Sequence, residues 1–156
     1  MSKSLKRVKA ALADAGVEVD VLEMAGETRT AIDAARAIGC EVDQIAKSII
    51  FRGEVTDALY LFITAGSHQV NSAKASTIAG EPLGRADAAI IRKITGFAIG
   101  GVSPVGHLTK PRAFWDARLT EFDRIYAAAG TPRHNFGAKP GELQNISDAQ
   151  DADFIS

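Results

Sequence analysis

Two segments of the sequence hold residue types that could do chemistry, and they lie about fifty residues apart. One is Gly96-Phe-Ala-Ile-Gly100-Gly101-Val-Ser-Pro104-Val-Gly106-His107, where four glycines and a proline interrupt an apolar run. Glycine permits backbone shapes and close approaches that a side chain forbids, and proline stiffens the exit. Such a loop can aim backbone amides at one point, to bind either a phosphate or the oxyanion formed when water attacks an ester. On composition alone it can equally be no more than a turn. The segment matches neither G-x-x-x-x-G-K-[ST] nor G-x-G-x-x-G, so a nucleoside triphosphate site has no support.

The second segment is Gln44-Ile-Ala-Lys47-Ser48-Ile-Ile-Phe51, a stretch composed for burial with one lysine in it. Lys47 either snorkels to the surface or holds its charge at the mouth of a pocket. Ser48 beside it, and Val102, Ser103 and Pro104 inside the loop, are candidate binding residues for the same site. Neither segment supplies a nucleophile with a histidine and carboxylate behind it, so no Ser-His-Asp or Cys-His device is visible. His134 and Asn135, in a late turn, either reach the same cavity or belong to a surface loop.

The histidines His68, His107 and His134 are widely separated, and Cys40 is the only cysteine. No metal, thiolate cluster or internal disulfide is expected, and no cofactor. His68 and His107 read as polar residues flanking loops, and Trp115 beside Phe114 as core or a surface anchor.

The elements that must position these residues follow from periodicity and caps. Leu5, Val8, Leu12 and Ala15 predict a first helix stopped by Gly16, and the alternation Val17, Val19, Val21 predicts a half-buried strand. Thr28 or Thr30 can cap a helix closed by Gly39. Residues 48–52 and 58–64 read as strands joined by a turn, which places Lys47 where helix passes into strand. A short helix, a second helix closed by Gly96, and a strand running into the glycine-rich loop follow. The remainder predicts a strand over 122–128, a turn at 130–132, a short helix from Pro140 and a last strand near 153–155. Strands that follow each other through short turns imply an α+β fold with one mixed, strongly curved sheet flanked by helices. At 156 residues, residues 1–156 read as a single domain.

QIAKSIIF around Lys47, TGFAIGGVSPVGH around Gly100 to Pro104, and the late AGTPRHNFGAKPGEL together resemble the YbaK/ProX-type aminoacyl-tRNA deacylases and the inserted editing domain of bacterial prolyl-tRNA synthetases. That resemblance implies a trans-editing hydrolase that cleaves the ester between a wrong amino acid and the terminal adenosine of tRNA, tRNA(Pro) or a related one. It implies that Lys47 contacts the aminoacyl-adenosine, that amides at Gly100 and Gly101 form an oxyanion hole, and that the substrate ribose helps to activate water. The acceptor end of an aminoacyl-tRNA is then the partner, with a synthetase as a further partner in some members. The sequence departs from the cysteinyl-tRNA(Pro) deacylase pattern: Thr30 stands at an aromatic position, Ala128 at a serine and Asn135 at an aspartate. The amino acid removed therefore does not follow from the resemblance, and Thr30 reads either as pocket wall or as helix cap.

Charge limits the alternatives. With 18 basic and 19 acidic residues the formal charge is -1, which disfavours coating of nucleic acid along many phosphates. Two small basic clusters, Arg85 with Arg92 and Lys93, and Lys110 with Arg112, could touch a few phosphates or lie simply as solvated surface. A non-enzymatic nucleic-acid-binding or regulatory module is the alternative reading, and the absence of a helix-turn-helix pattern weighs against it. No run approaches the roughly 18 apolar residues of a membrane span, and charges run through the opening segment, so a cytoplasmic location without membrane contact is expected.

Overall fold

A computed structural model describes residues 2–156. The chain forms α1 (Lys3–Asp14), β1 (Val21–Glu23), α2 (Ala31–Ile38), β2 (Ala46–Gly53), β3 (Leu59–Ala65), α3 (Ser72–Ala79) and β4 (Leu83–Arg85). It continues through α4 (Ala88–Thr95), β5 (Arg112–Trp115), β6 (Ile125–Thr131), β7 (His134–Ala138), α5 (Pro140–Ser147) and β8 (Gln150–Asp151). Single turns of 3₁₀ helix at Val42–Gln44 and Ala117–Glu121 lead into β2 and β6.

The expected α+β architecture is present, with its strands divided between two sheets. One has the order β4-β2-β3-β5-β8 and is mixed: β2 lies antiparallel to β3 and β4, while β5 lies parallel to β3 and β8. The other is antiparallel, in the order β1-β7-β6. A lone parallel bridge, Ile45 to Tyr126, joins them just before Lys47.

All seven residues of β3 are buried because both of its faces are covered, which is why it reads as an unbroken apolar run rather than an alternating one. Leu61, Ile63 and Ala65 face the larger core, with Leu5, Val8 and Leu12 of α1, Trp115, Phe136 and Leu143. Tyr60 and Phe62 face a smaller aromatic cluster in which Phe62 stacks on Phe114 at 5.1 Å and meets Phe154 edge-on at 5.0 Å. The larger core draws on both sheets and on helices from both ends of the chain, so the two sheets are held as layers around one interior.

Helix boundaries follow their caps. Thr30 Oγ1 accepts the Asp33 amide at 3.1 Å and Gly39 ends α2 in the left-handed region, as expected. Strand edges moved more. The extended stretch 17–20 makes no ladder, and pairing with β7 is confined to Val21 through Glu23, opposite Phe136 through His134; the alternation there reports the partial burial of Val19 and Val21 against the core. The strand expected within the glycine-rich segment does not form: Gly96 and Gly100 take φ of +83° and +89°, outside the range of regular strand backbone, and Phe97 instead plugs the core. The strand expected over 122–128 runs from Ile125 to Thr131. The last strand lies at Gln150–Asp151, Ile155 keeping only a bridge to Val70. Among the described residues no helix is long and apolar enough to cross a membrane.

Candidate active site

A cavity of about 550 Å³ opens where the two sheets meet, and it is here that the distant segments converge. Lys47 and Ser48 come from β2, Gly100 and Val102 from the glycine-rich loop, Thr28 and Thr30 from the lead into α2, and Ala128 and Asn135 from β6 and β7. Among the described residues the lining contains three cations, Arg29, Lys47 and Arg85, and no carboxylate, histidine or cysteine.

Lys47 sits opposite Thr64 in the β2–β3 ladder, one residue inside the strand. Burial pushes its pKa below the usual lysine value, and the nearby carboxylates of Asp43 and Asp116 pull it partly back. It forms no ion pair among the described residues, because both acids are committed elsewhere. Asp43 accepts the amide and hydroxyl of Ser67 and pairs with Arg118 at 3.1 Å. Asp116 accepts the Ala65 amide at 3.0 Å and meets His68 Nδ1 at 2.7 Å. The half-desolvated ammonium is thus held in place by the strand and left without a partner in the cavity wall.

The loop is pinned from both sides. Arg7 of α1 donates to the carbonyls of Gly96 at 2.7 Å and Gly106 at 3.2 Å, tying the loop's ends together, and lies over the Phe97 ring. His107 Nε2 donates to the Ser103 carbonyl at 2.6 Å, and Phe97 meets the imidazole edge-on. Burial pushes the His107 pKa down to about 4, with the cation of Arg7 adding to the effect. Arg29 Nη1 donates to Ile99 O at 3.0 Å and fastens the loop to the start of α2. A side chain at Gly101 would run into the backbone of Thr131 at 2.8 Å, so glycine there allows the loop to lie directly on the β6–β7 turn.

The amide of Gly101 is spent on the Ala98 carbonyl at 3.0 Å, inside the loop's own turn. The amides of Gly100 and Val102 have no acceptor among the described residues, and both residues line the cavity. Available donors therefore come from Gly100 and Val102, which revises the expected pair of Gly100 and Gly101.

Of the other expected binding residues, Thr30, Ser48, Val102 and Asn135 line the cavity. Thr30 is also the α2 cap, so both of its readings hold. Ser48 Oγ is sealed from solvent with no hydrogen-bond partner among the described residues. Ser103 and Pro104 are buried behind the loop; Pro104 borders a separate cavity with Val105 and His107. His134 stays outside the lining and bonds Thr131 at 2.6 Å, closing the β6–β7 turn.

Arg29, Asp43 and Asp116 escaped the sequence reading, and Thr28 stands there only as a candidate helix cap. The composition of the 24–30 segment carries no sign of a pocket; Asp43 approaches Lys47 from the 3₁₀ turn just before β2, and Asp116 from the end of β5, where β5 lies beside β3. Among the basic clusters only Arg85 reaches the cavity; Lys110 pairs with Asp148, and Arg112 packs over Tyr60 and Phe114.

Comparison with known proteins places this geometry among relatives. A family model described as aminoacyl-tRNA editing domain matches residues 25–146. The uncharacterized protein YwhH of Bacillus subtilis is 31% identical over 144 residues, covering 92% of this chain and 91% of that protein. The proline--tRNA ligase of Shouchella clausii is 29% identical over 127 residues, which cover 80% of this chain but only 22% of the ligase. A crystal structure of a candidate trans-editing enzyme for prolyl tRNA synthetase superimposes with a TM-score of 0.92 at 43% identity, covering 100% of this chain and 99% of that one.

Proposed function

Because the chain belongs to the aminoacyl-tRNA editing domain family, we propose that it is a trans-editing deacylase, with residues 1–156 working as one editing domain and the cavity between the sheets holding the aminoacyl end of a mischarged tRNA. One observation carries this reading: the cavity brings an unpaired lysine from β2 together with uncommitted amides from a glycine-rich loop.

In the reaction, a water oxygen bonds to the ester carbonyl carbon and the carbonyl oxygen takes the developing charge. The bond to the ribose oxygen then breaks, the water's proton passes to that oxygen, and a free amino acid and an uncharged tRNA leave. Amides of Gly100 and Val102 are the donors for the oxyanion; losing one such donor costs about 10²–10³ in rate. Lys47 neutralises and orients, and serves as neither base nor nucleophile. With no carboxylate or histidine in the lining, the proton has to travel by way of the substrate, for which the ribose hydroxyl next to the ester is the nearest group. Exposed Ile32 and Ile99 at the mouth offer apolar surface to the terminal base, and Arg85 offers charge to its phosphate, whereas Arg29 is already paired with Glu27 at 2.6 Å.

Such an enzyme answers a limit of binding energy, since one methylene discriminates by only about 1–3 kcal/mol. The relative described as serving prolyl tRNA synthetase and the prolyl ligase match support tRNA(Pro) as the carrier and that synthetase as an associate. The test is deacylation of tRNA(Pro) and other tRNAs charged with alanine, serine, threonine, cysteine or 2-aminobutyrate. Hydrolysis of at least one, lost by about a hundredfold or more in Lys47→Ala, is expected. No hydrolysis above the blank by folded protein, or tight salt-sensitive binding of duplex DNA in its place, would overturn it.

A further inference from the structure

Among the described residues, the hydrogen bonds around Thr28 leave its neighbour Asn135 only one way to face. The Thr28 amide and hydroxyl both donate to the Pro132 carbonyl, at 2.6 and 2.9 Å. A hydroxyl has one hydrogen, so Thr28 Oγ1 has only lone pairs left to offer. The group against it is the carboxamide of Asn135, at 2.9 Å, and it must therefore present its NH₂ end. Its Oδ1 is turned the other way.

Asn135 is 4% exposed and lines the cavity, and its Oδ1 has no partner among the described residues. It is also absent from the polar atoms that are sealed without a partner, Ser48 Oγ and His107 Nδ1. A carbonyl oxygen that is unpaired, on a buried side chain and open to a cavity is an acceptor waiting for a donor, since a ligand that fills the cavity without supplying one would leave it unsatisfied. Ala128, the cross-strand partner of Asn135, lines the cavity as well and its small side chain leaves the acceptor uncovered.

We infer that Thr28 is a positioning residue that fixes the Asn135 carboxamide with its oxygen in the cavity, where that oxygen accepts a hydrogen bond from a donor on the aminoacyl group. The inference rests on the reading of this cavity as the aminoacyl pocket. The lining carries cations and no carboxylate, so a neutral acceptor is what it offers to the α-ammonium or to a side-chain hydroxyl. These two donors share one chemistry, and seryl and alanyl esters separate them.

Thr28→Val keeps the side chain's size and removes the hydroxyl, freeing the carboxamide to turn; Thr28→Ser keeps the hydroxyl. The value of kcat/KM on seryl- and alanyl-tRNA is measured for both variants. Binding of the non-hydrolysable seryl and alanyl amides of 3′-amino-3′-deoxyadenosine is measured by calorimetry. Thr28→Val is expected to lose about tenfold or more in both measurements, mainly in KM and Kd, with Thr28→Ser within about threefold of wild type. An equal loss on seryl and alanyl compounds assigns the α-ammonium, and a loss confined to seryl compounds assigns the hydroxyl; either result supports the positioning role. Thr28→Val within about twofold of wild type on every compound, or a loss that Thr28→Ser shares in full, overturns it. The amide analogues keep the two readings apart: wild-type protein that binds them but hydrolyses no ester refutes the deacylase and leaves the Thr28 comparison intact. Wild-type protein that binds neither analogue overturns both.

Discussion

Lowering the pH should loosen the glycine-rich loop through a single side chain, His107. Its Nε2 donates to the Ser103 carbonyl and its Nδ1 is sealed without a partner, so the folded protein holds the neutral ring. Burial first, and then the charge of Arg7, lower its pKa from 6.5 to about 4. Between those values the unfolded chain binds a proton that the folded chain refuses. Stability from this group is therefore complete above about pH 6.5 and is lost progressively as pH falls toward about 4. With those two pKa values the loss relative to about pH 7 is about 1 kcal/mol at about pH 5.5 and about 2.5 kcal/mol at about pH 4.5.

Carboxylates titrate across the same range, so the measurement is a difference between two proteins. Urea unfolding of wild type and His107→Gln is compared at each pH, glutamine being able to donate to the Ser103 carbonyl without titrating. The variant is expected to lose about 1 kcal/mol near pH 7, where the edge-on contact with Phe97 is missing. It should then close that gap near about pH 5.5 and be the more stable protein by about 1.5 kcal/mol near about pH 4.5. Parallel stability curves across the range would refute the buried, neutral ring as the holder of this loop.

Other parts of the site make separate demands. Gly101→Ala sets a methyl carbon against the Thr131 backbone, which has no rotamer to yield; about 1–3 kcal/mol of stability and a several-fold rise in KM are expected, read by urea unfolding and steady-state deacylation, and unchanged values would detach the loop from the β6–β7 turn. Arg7→Met keeps the aliphatic stem and removes the clamp on Gly96 and Gly106, so KM should rise with kcat nearly unchanged, whereas a fall in kcat alone would contradict a purely positioning clamp. Ser48→Ala removes a sealed hydroxyl without a partner and is expected to raise stability by up to about 1 kcal/mol, measured by urea midpoint; a loss of more than about 1 kcal/mol would mean the hydroxyl is bonded in solution.

Features governed by neighbours in sequence were the legible ones. The cap at Thr30, the stop at Gly39, the β2–β3 hairpin and the convergence of Lys47 with Gly100 all follow from local composition or from the family pattern. What escaped depends on partners far along the chain. The segment 96–107 looks like an apolar strand, but Arg7, about ninety residues earlier, supplies the hydrogen bonds that a ladder would have supplied, and the glycines let the backbone turn back to meet them. β5 is four residues after a proline, too short to show a period, and becomes a strand only because β3 and β8 flank it.

The same reasoning explains why Asn135 was visible as a candidate while its orientation was not. Which end of a carboxamide faces a cavity is decided by the last hydrogen bond in a chain of donors, here the Pro132 carbonyl, which saturates the Thr28 hydroxyl. Pro132 lies in the β6–β7 turn and Asn135 just after it on β7, and Thr28 reaches them from over a hundred residues away. The polarity of the pocket wall at Asn135 is thus set by a backbone carbonyl that does not line the cavity, and an exchange of Thr28 for valine would free the carboxamide to turn while leaving Asn135 itself unchanged.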